Sequence, residues 1–256
     1  MSSAVLSGYS AKRRFINSAQ LQNIQLDDIV RYSACGTFRE FIKPIDWVSM
    51  VFRFPKLLSL PKGHGEPVVL VPGYFTDEKT LCVLGQFLKF LNYRVFQWDV
   101  KHNAQELSKD VTLLEEHLVQ LMQNNALPKI SLVGYGLGGL LCRAIAQRET
   151  ILLKQLITLG TPLNSENTFT PLSKRYAQRI GVDLDSLLKN SKAICEAKLT
   201  LPVTILYAPD DEFVTPEATR DKVNEHANHH LINGSHVNYT HNAKVWETIA
   251  STLVTV

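Results

Sequence analysis

The sequence predicts an α/β fold: a doubly wound, mostly parallel sheet with helices on both faces, an N-terminal helical extension and a helical lid insertion. Three observations lead there. From Pro67 to the C-terminus, short apolar runs alternate with amphipathic segments, the pattern of strand–helix–strand units. The run Ile130-Ser131-Leu132-Val133-Gly134-Tyr135-Gly136-Leu137-Gly138-Gly139-Leu140 reads as a buried strand, a Gly-rich turn and the start of a helix. Between Thr161 and Leu199 the alternation breaks, and connections of that length are uncommon unless they are functional or carry structure of their own.

The elements follow in chain order. Residues 1–61 form a helical extension, with Phe38, Phe41, Ile42, Ile45, Val48 and Phe52 near a 3.6-residue period interrupted by Pro44. Its apolar character runs on through Phe54, Leu57, Leu58 and Leu60. It either packs on the main domain or presents an amphipathic surface to membrane or acyl chains. The turn cluster at residues 62–67 opens the main domain, 62–256. Pro67–Val71 is a buried parallel strand. A helix over Glu78–Leu91 carries Leu81, Leu84, Phe87, Leu88 and Leu91 on one face. Arg94–Trp98 is the next strand, and Ala104–Gln123 a long helix with Leu107, Val111, Leu114, Leu118 and Leu121 in step. Lys129–Val133 and Leu137–Gln147 flank the Gly-rich turn. Gln155–Leu159, Pro202–Tyr207 and His229–Ile232 are further strands, and Asn242–Leu253 is a closing helix. The insertion, residues 162–199, reads as helical from Tyr176, Ile180, Val182, Leu184, Leu187 and Leu188, placed where a lid would cover the strand ends.

Composition narrows the function classes. At 256 residues and 45% hydrophobic content, the chain has the size and apolar fraction of one globular α/β domain. No stretch approaches the ~18 apolar residues that mark a membrane span. The first residues lack the charged start and apolar run of a secretory signal. Cys35, Cys82, Cys142 and Cys195 are scattered and read as free thiols of a cytoplasmic protein. Residues 1–62 hold nine Lys/Arg and four Asp/Glu, a balance of +5, and the remainder is −2. Lys12, Arg13 and Arg14 cluster near the start; such a tail is a solvated end or a weak contact for anionic lipid, which would make the protein peripheral to a membrane. No basic stripe interleaved with aromatics points to nucleic acid. No ligand spacing points to a metal, and no phosphate-binding fingerprint points to a nucleotide cofactor.

The chemistry concentrates at strand ends. The strand–turn–helix around Gly136 has the layout of a nucleophile elbow, G-x-S-x-G, in which a serine sits at the apex of a strained turn. Here the apex is Gly136. Small residues at Gly134 and Gly138 let a strand turn directly into a helix. Asp211 follows a strand in Asp211-Glu212-Phe213-Val214-Thr215-Pro216, where a carboxylate can orient an imidazole. Asp210 competes with it; burial of Val214 by the D-x-x-V-x-P spacing favours Asp211. His236 lies between the last strand and the last helix, within reach of both acid and elbow. His229 and His230, inside a strand, and His241, a potential helix cap, are the alternatives. Val71-Pro72-Gly73-Tyr74-Phe75 follows the first strand of the alternating region. In a hydrolase such a turn gives one oxyanion-hole N–H and the residue after the nucleophile gives the other, here Tyr74 and Leu137.

With these residues in place, the chain from about Pro61 onward resembles the α/β-hydrolase superfamily, in its lipase/esterase-like branch. It is similar to bacterial lipase-like hydrolases with V-P-G-[FY], G-W-S-L-G-G, I-T-L-G-[ST]-P and G-S-H motifs. The matching residues are Val71-Pro72-Gly73-Tyr74, Gly134-Tyr135-Gly136-Leu137-Gly138-Gly139, Ile157-Thr158-Leu159-Gly160-Thr161-Pro162 and Gly234-Ser235-His236. The resemblance implies ester hydrolysis or acyl transfer, with the serine falling on Gly136, the acid on Asp211 and the histidine on His236.

Glycine has no Oγ, so no acyl-enzyme can form at the apex. Tyr135 and Leu137 flank the apex and are expected to point away from it. Cys142, further along the helix, is expected to be buried. Three readings follow: Gly136 is an engineered or recent replacement in a working esterase, lipase or acyltransferase; the protein is a natural pseudoenzyme that binds a lipid, acyl or protein partner; or a His236–Asp211 pair acts as a general base without a covalent intermediate. The apolar extension and insertion, with Phe52, Phe54, Tyr74 and Phe75, favour an apolar or acyl-bearing ligand.

Overall fold

The computed structural model describes residues 53, 55–73, 76, 80–98, 106–148, 151–164 and 168–255. Most of the N-terminal extension, Tyr74, Phe75 and Cys35 therefore lie outside the described residues, as does the start of the helix expected from Glu78.

Six parallel strands form one sheet: β1 (Pro67–Val71), β2 (Arg94–Gln97), β3 (Ile130–Tyr135), β4 (Leu153–Leu159), β5 (Val203–Tyr207) and β6 (Asn228–Leu231), in spatial order β2-β1-β3-β4-β5-β6. The order reverses at β1, with β2 on one side and β3 on the other. In open sheets of this kind ligands bind at the carboxyl ends of the strands near the reversal. β3 is buried at every residue, as expected of a central parallel strand covered on both faces. β6 is the exposed edge.

Among the described residues, the helices that accompany the strands are α1 (Cys82–Phe90), α2 (Leu107–Asn125), α3 (Leu137–Ile145), α4 (Pro171–Ile180), α5 (Leu184–Glu196) and α6 (Ala243–Thr255). On one face, α2 and α3 bury Leu114, Leu118, Leu140 and Leu141 against Leu132, Leu156 and Ile205 of the sheet. On the other, α1 and α6 bury Leu84, Leu88, Trp246 and Ile249 against Leu70, Val133 and Ile157. Alternate strand residues thus feed opposite cores. Leu57, from a helical turn at 55–58, joins the second core at 2% exposure, and Lys56 pairs with Glu247 of α6 at 2.8 Å. The last turn of the extension is thereby held on the main domain.

Several boundaries differ from the sequence expectation. β3 runs two residues further, to Tyr135, because the Gly136 N–H continues the ladder onto Leu159 O at 2.8 Å. Before α6 the chain forms a 3-10 helix, His236–His241, in place of a plain loop. Asn242, not His241, caps α6: its Oδ1 accepts from the Lys244 N–H at 2.8 Å. His241 instead packs inward, and burial pushes its imidazole pKa down to about 4.

The insertion divides in two. α4 starts at a Thr170 cap with Pro171 in its first turn and ends at Gly181, φ 76°. α5 is capped by Asp183, whose Oδ1 accepts from the N–H groups of Asp185 and Ser186, each at 3.1 Å. α5 packs against α3 and α2, in the helical layer beside the sheet. Among the described residues of the insertion, Pro162, Phe169 and Ser173 line the cleft over Gly136.

Candidate active site

Gly136 sits at the junction of β3 and α3 with φ 54° and ψ −126°. This is the mirror image of an ordinary turn conformation and costs any residue with a Cβ about 1–3 kcal/mol. The turn is also tight. A Cβ at Gly134 would lie 2.5 Å from Gly139 Cα, and one at Gly138 would collide with the carbonyl oxygens of Val71 and Pro72. The glycines therefore let β3, α3 and the end of β1 meet. Gly73 is part of the same contact: a Cβ there would stand 3.4 Å from the Leu137 nitrogen. Leu137 opens α3, so its N–H has no partner within the helix and is available at the cleft.

Asp211 lies beyond the end of β5 and is buried. Its Oδ1 accepts from the N–H groups of Phe213 (2.9 Å) and Val214 (2.8 Å), which fold the loop around it. Its Oδ2 pairs with His236 Nδ1 at 2.7 Å. Asp210, the competing assignment, is exposed on the same loop. His229 and His230 lie on the exposed edge strand β6; the His229 Nε2 accepts from the Asp221 N–H at 3.2 Å. Of the histidines considered, His236 is the one the fold brings to Asp211 and Gly136.

With Nδ1 donating to Asp211, Nε2 of His236 is left as an acceptor. It faces the elbow: a Cβ built on Gly136 would stand 3.4 Å from Nε2 and 3.8 Å from Cε1, the two contacts within 4 Å that the described residues make there beyond the chain neighbours. A hydroxyl one bond further out is therefore within hydrogen-bond reach of Nε2. The cleft over this point is lined by Leu137, Pro162, Phe169, Phe213, Val214 and Val237, with Thr76 and Ser173 at its polar edge. It encloses about 460 Å³, counting the open solvent at its mouth.

Two further residues act on His236: Glu212, which sequence reasoning passed over, and Tyr135, which it had turned away from the apex. Glu212 Oε2 accepts from the His236 backbone N–H at 2.9 Å. The Tyr135 hydroxyl donates to the His236 carbonyl at 3.0 Å. Tyr135 does not point away from the site as expected; its ring lies 5.0 Å from the imidazole, because alternation along β3 turns residue 135 to the face where the 3-10 helix packs. Leu137 likewise lines the cleft. The only available signal was adjacency: Glu212 follows Asp211 and Tyr135 precedes Gly136.

Neither the two buried thiols nor the two hydroxyls at the cleft are prepared as nucleophiles. The Cys142 thiol is fully buried, and burial pushes its pKa far above the ordinary value. Burial raises Cys195 to about 11, against a smaller opposing pull from Arg143. The hydroxyls of Thr76 and Ser173 donate to the carbonyls of Gly73 (2.7 Å) and Thr170 (2.9 Å). Tyr74, the expected partner of Leu137 in an oxyanion hole, lies outside the described residues.

No protein-family model and no curated sequence matches the chain. Solved structures do. The chain is similar to MGS-MChE2, an α/β-hydrolase enzyme from the metagenome of lagoon sediments at Mar Chica, Morocco, with TM-score 0.57 and 16% identity over 75% of this chain and 91% of that one. It is similar to the carboxylesterase CesB of Bacillus subtilis, with TM-score 0.56 and 10% identity over 82% and 99%. It is also similar to a lipase-esterase related protein of Clostridium acetobutylicum, with TM-score 0.57 and 14% identity over 76% and 96%. At these identities the likeness establishes the fold, and the fold is that of the α/β hydrolases. Among the described residues, no helix is long and apolar enough to cross a membrane.

Proposed function

We propose that this protein is an esterase- or lipase-like hydrolase scaffold that receives an apolar ester or acyl-bearing molecule in the cleft and has lost the covalent route. Gly136 stands at the nucleophile position, His236 at the base and Asp211 at its carboxylate partner. Leu137 supplies an oxyanion-hole donor, and Tyr74, outside the described residues, is assigned the other from the sequence resemblance alone. The observation that carries this reading is the 3.4 Å between His236 Nε2 and a Cβ built on Gly136. Base and acid are set for a side chain that the apex does not have. As it stands, the chain forms no acyl-enzyme.

Gly136→Ser tests this. The serine form is expected to label with a fluorophosphonate and to hydrolyse chromogenic esters of medium-chain acids. The chain as given should not label. A correctly folded Gly136→Ser protein that neither labels nor turns over would overturn the reading. A preference of the serine form for short, charged esters would overturn the apolar-ligand part alone.

A further inference from the structure

His236 is held more tightly than ligand binding requires. Its Nδ1 is fixed by Asp211 at 2.7 Å, its backbone N–H by Glu212 at 2.9 Å and its carbonyl by the Tyr135 hydroxyl at 3.0 Å. The rings of Tyr135, Phe213 and Tyr239 stand 5.0, 5.4 and 5.8 Å from the imidazole. On the remaining side is the backbone of Gly160, where a Cβ would come within 2.9 Å of Nδ1. These contacts leave Nε2 as the ring's open polar atom, aimed at the space over Gly136.

A buried carboxylate–imidazole pair carries a desolvation cost that an apolar pair of the same volume would not. A cleft that merely held an acyl chain would gain nothing from it. Groups fixed in this way are preorganised for proton transfer. Among the described residues, glycine at the apex leaves room next to Nε2 that a serine side chain would fill, and a water taking that place would be within hydrogen-bond reach of Nε2, at the end of the helix that Leu137 opens.

We propose that the His236–Asp211 pair works directly on water and hydrolyses apolar acyl groups carried on good leaving groups, such as aryl esters and thioesters, by a single displacement. This rests on the reading of the cleft as an ester or acyl site. Nε2 takes one proton from the water as its oxygen bonds to the carbonyl carbon. The C=O electron pair moves onto the carbonyl oxygen, which accepts a hydrogen bond from Leu137 N–H. The tetrahedral adduct re-forms C=O and expels the alkoxide, phenolate or thiolate, which takes the proton back from Nε2. Ester and water become acid and alcohol with no bond to the protein. Water is a weaker nucleophile than an activated serine, which is why an electrophilic carbonyl and a stable leaving group define the substrate class.

The test uses the full chain with 4-nitrophenyl butyrate as substrate and its ketone analogue, 4-nitrophenyl propyl ketone, as a non-hydrolysable probe of binding. Steady turnover without a burst, with no fluorophosphonate labelling, is expected. His236→Ala should lose about 10²–10⁴-fold in rate, the usual range for a general base. Asp211→Asn should lose rate with it. Gly136→Ala places a methyl where the water acts, and should lose turnover while still binding the ketone. If His236→Ala does not fold, the other two variants carry the test. Ketone binding with no turnover above buffer, or turnover insensitive to all three variants, overturns the single displacement and leaves the proposed function standing. Failure of the ketone to bind, with an unlabelled Gly136→Ser form, overturns both.

Discussion

Asp221 and Asp211 are both buried and both paired, in opposite ways. Asp221 meets Arg143 at 2.6 Å, with the side chains 1% and 0% exposed. Arg143 also donates to the carbonyls of Ile194 (3.0 Å), Cys195 (3.1 Å) and Ala197 (3.0 Å). Asp221 accepts in addition from the N–H groups of Val223 and Asn224, both at 3.0 Å, and from Asn224 Nδ2 at 2.7 Å. That network is closed: it staples α3 to the end of α5 and to the loop after β5. The Asp211–His236 pair has the same kind of carboxylate anchoring, yet it ends in an imidazole nitrogen that faces the cleft. Saturated hydrogen bonding makes a structural joint. A chain of bonds left open at one atom makes a place for chemistry.

The contrast can be broken first at the joint. Arg143→Met leaves Asp221 and three carbonyls without their partner, and should cost about 3–5 kcal/mol. His236→Gln, which keeps a donor for Asp211, should cost under about 1 kcal/mol. Urea unfolding of the two variants compares them directly, and equal losses would erase the distinction. The apex comes next. Gly136→Ser must hold φ 54° with a Cβ, so it should lose about 1–3 kcal/mol of stability while gaining fluorophosphonate reactivity, measured on the same preparation. A stabilised serine form would refute the strain argument.

A smaller effect falls on the clamp. Glu212→Ala removes the acceptor for the His236 N–H and should cost about 1 kcal/mol, whereas Glu212→Gln, which keeps an oxygen there, should restore most of it. The labelling rate of the two variants in a Gly136→Ser background reads the same contact through the orientation of the imidazole. The slightest effect is one of pH. Burial tends to raise the Asp221 carboxyl, but hydrogen bonds from Asn224 and the Arg143 charge outweigh it and hold its pKa below the ordinary value. Its unfolded pKa is near 3.9, so its contribution is complete above that value and is lost as pH falls through the lower folded pKa. Acid unfolding of the wild type should steepen below about pH 4, and Asp221→Asn should flatten that limb.

Much of the architecture was legible because it depends on local period. Leu107, Val111, Leu114, Leu118 and Leu121 mark one face of α2, and all five are buried. The glycines at 134, 136 and 138 mark the sharp turn from β3 to α3. What was misread depends on partners distant in sequence. Tyr135 was expected to turn away from the cleft, but its hydroxyl bonds a carbonyl 101 residues further on. The insertion between Thr161 and Leu199 was read as helical and placed as a lid over the strand ends; that its second helix, α5, packs in the helical layer, held by an arginine from α3, had no signal in the sequence. His241 was considered as a cap because it precedes a helix, and the neighbouring asparagine has the shorter reach that the cap geometry favours.

By itself, the sequence determined the order of strands and helices, the tight turn at Gly136, and the absence of a hydroxyl at its apex. These follow from side-chain period, from steric limits on φ and ψ, and from the identity of one residue. Only the tertiary structure decided that Glu212 and Tyr135 hold the His236 backbone, and that Arg143 ties down α5. The physical reason is range. Backbone preference acts over a few residues, whereas a buried hydrogen bond needs two groups to meet after the sheet has assembled, and the chain between them carries no record of the meeting.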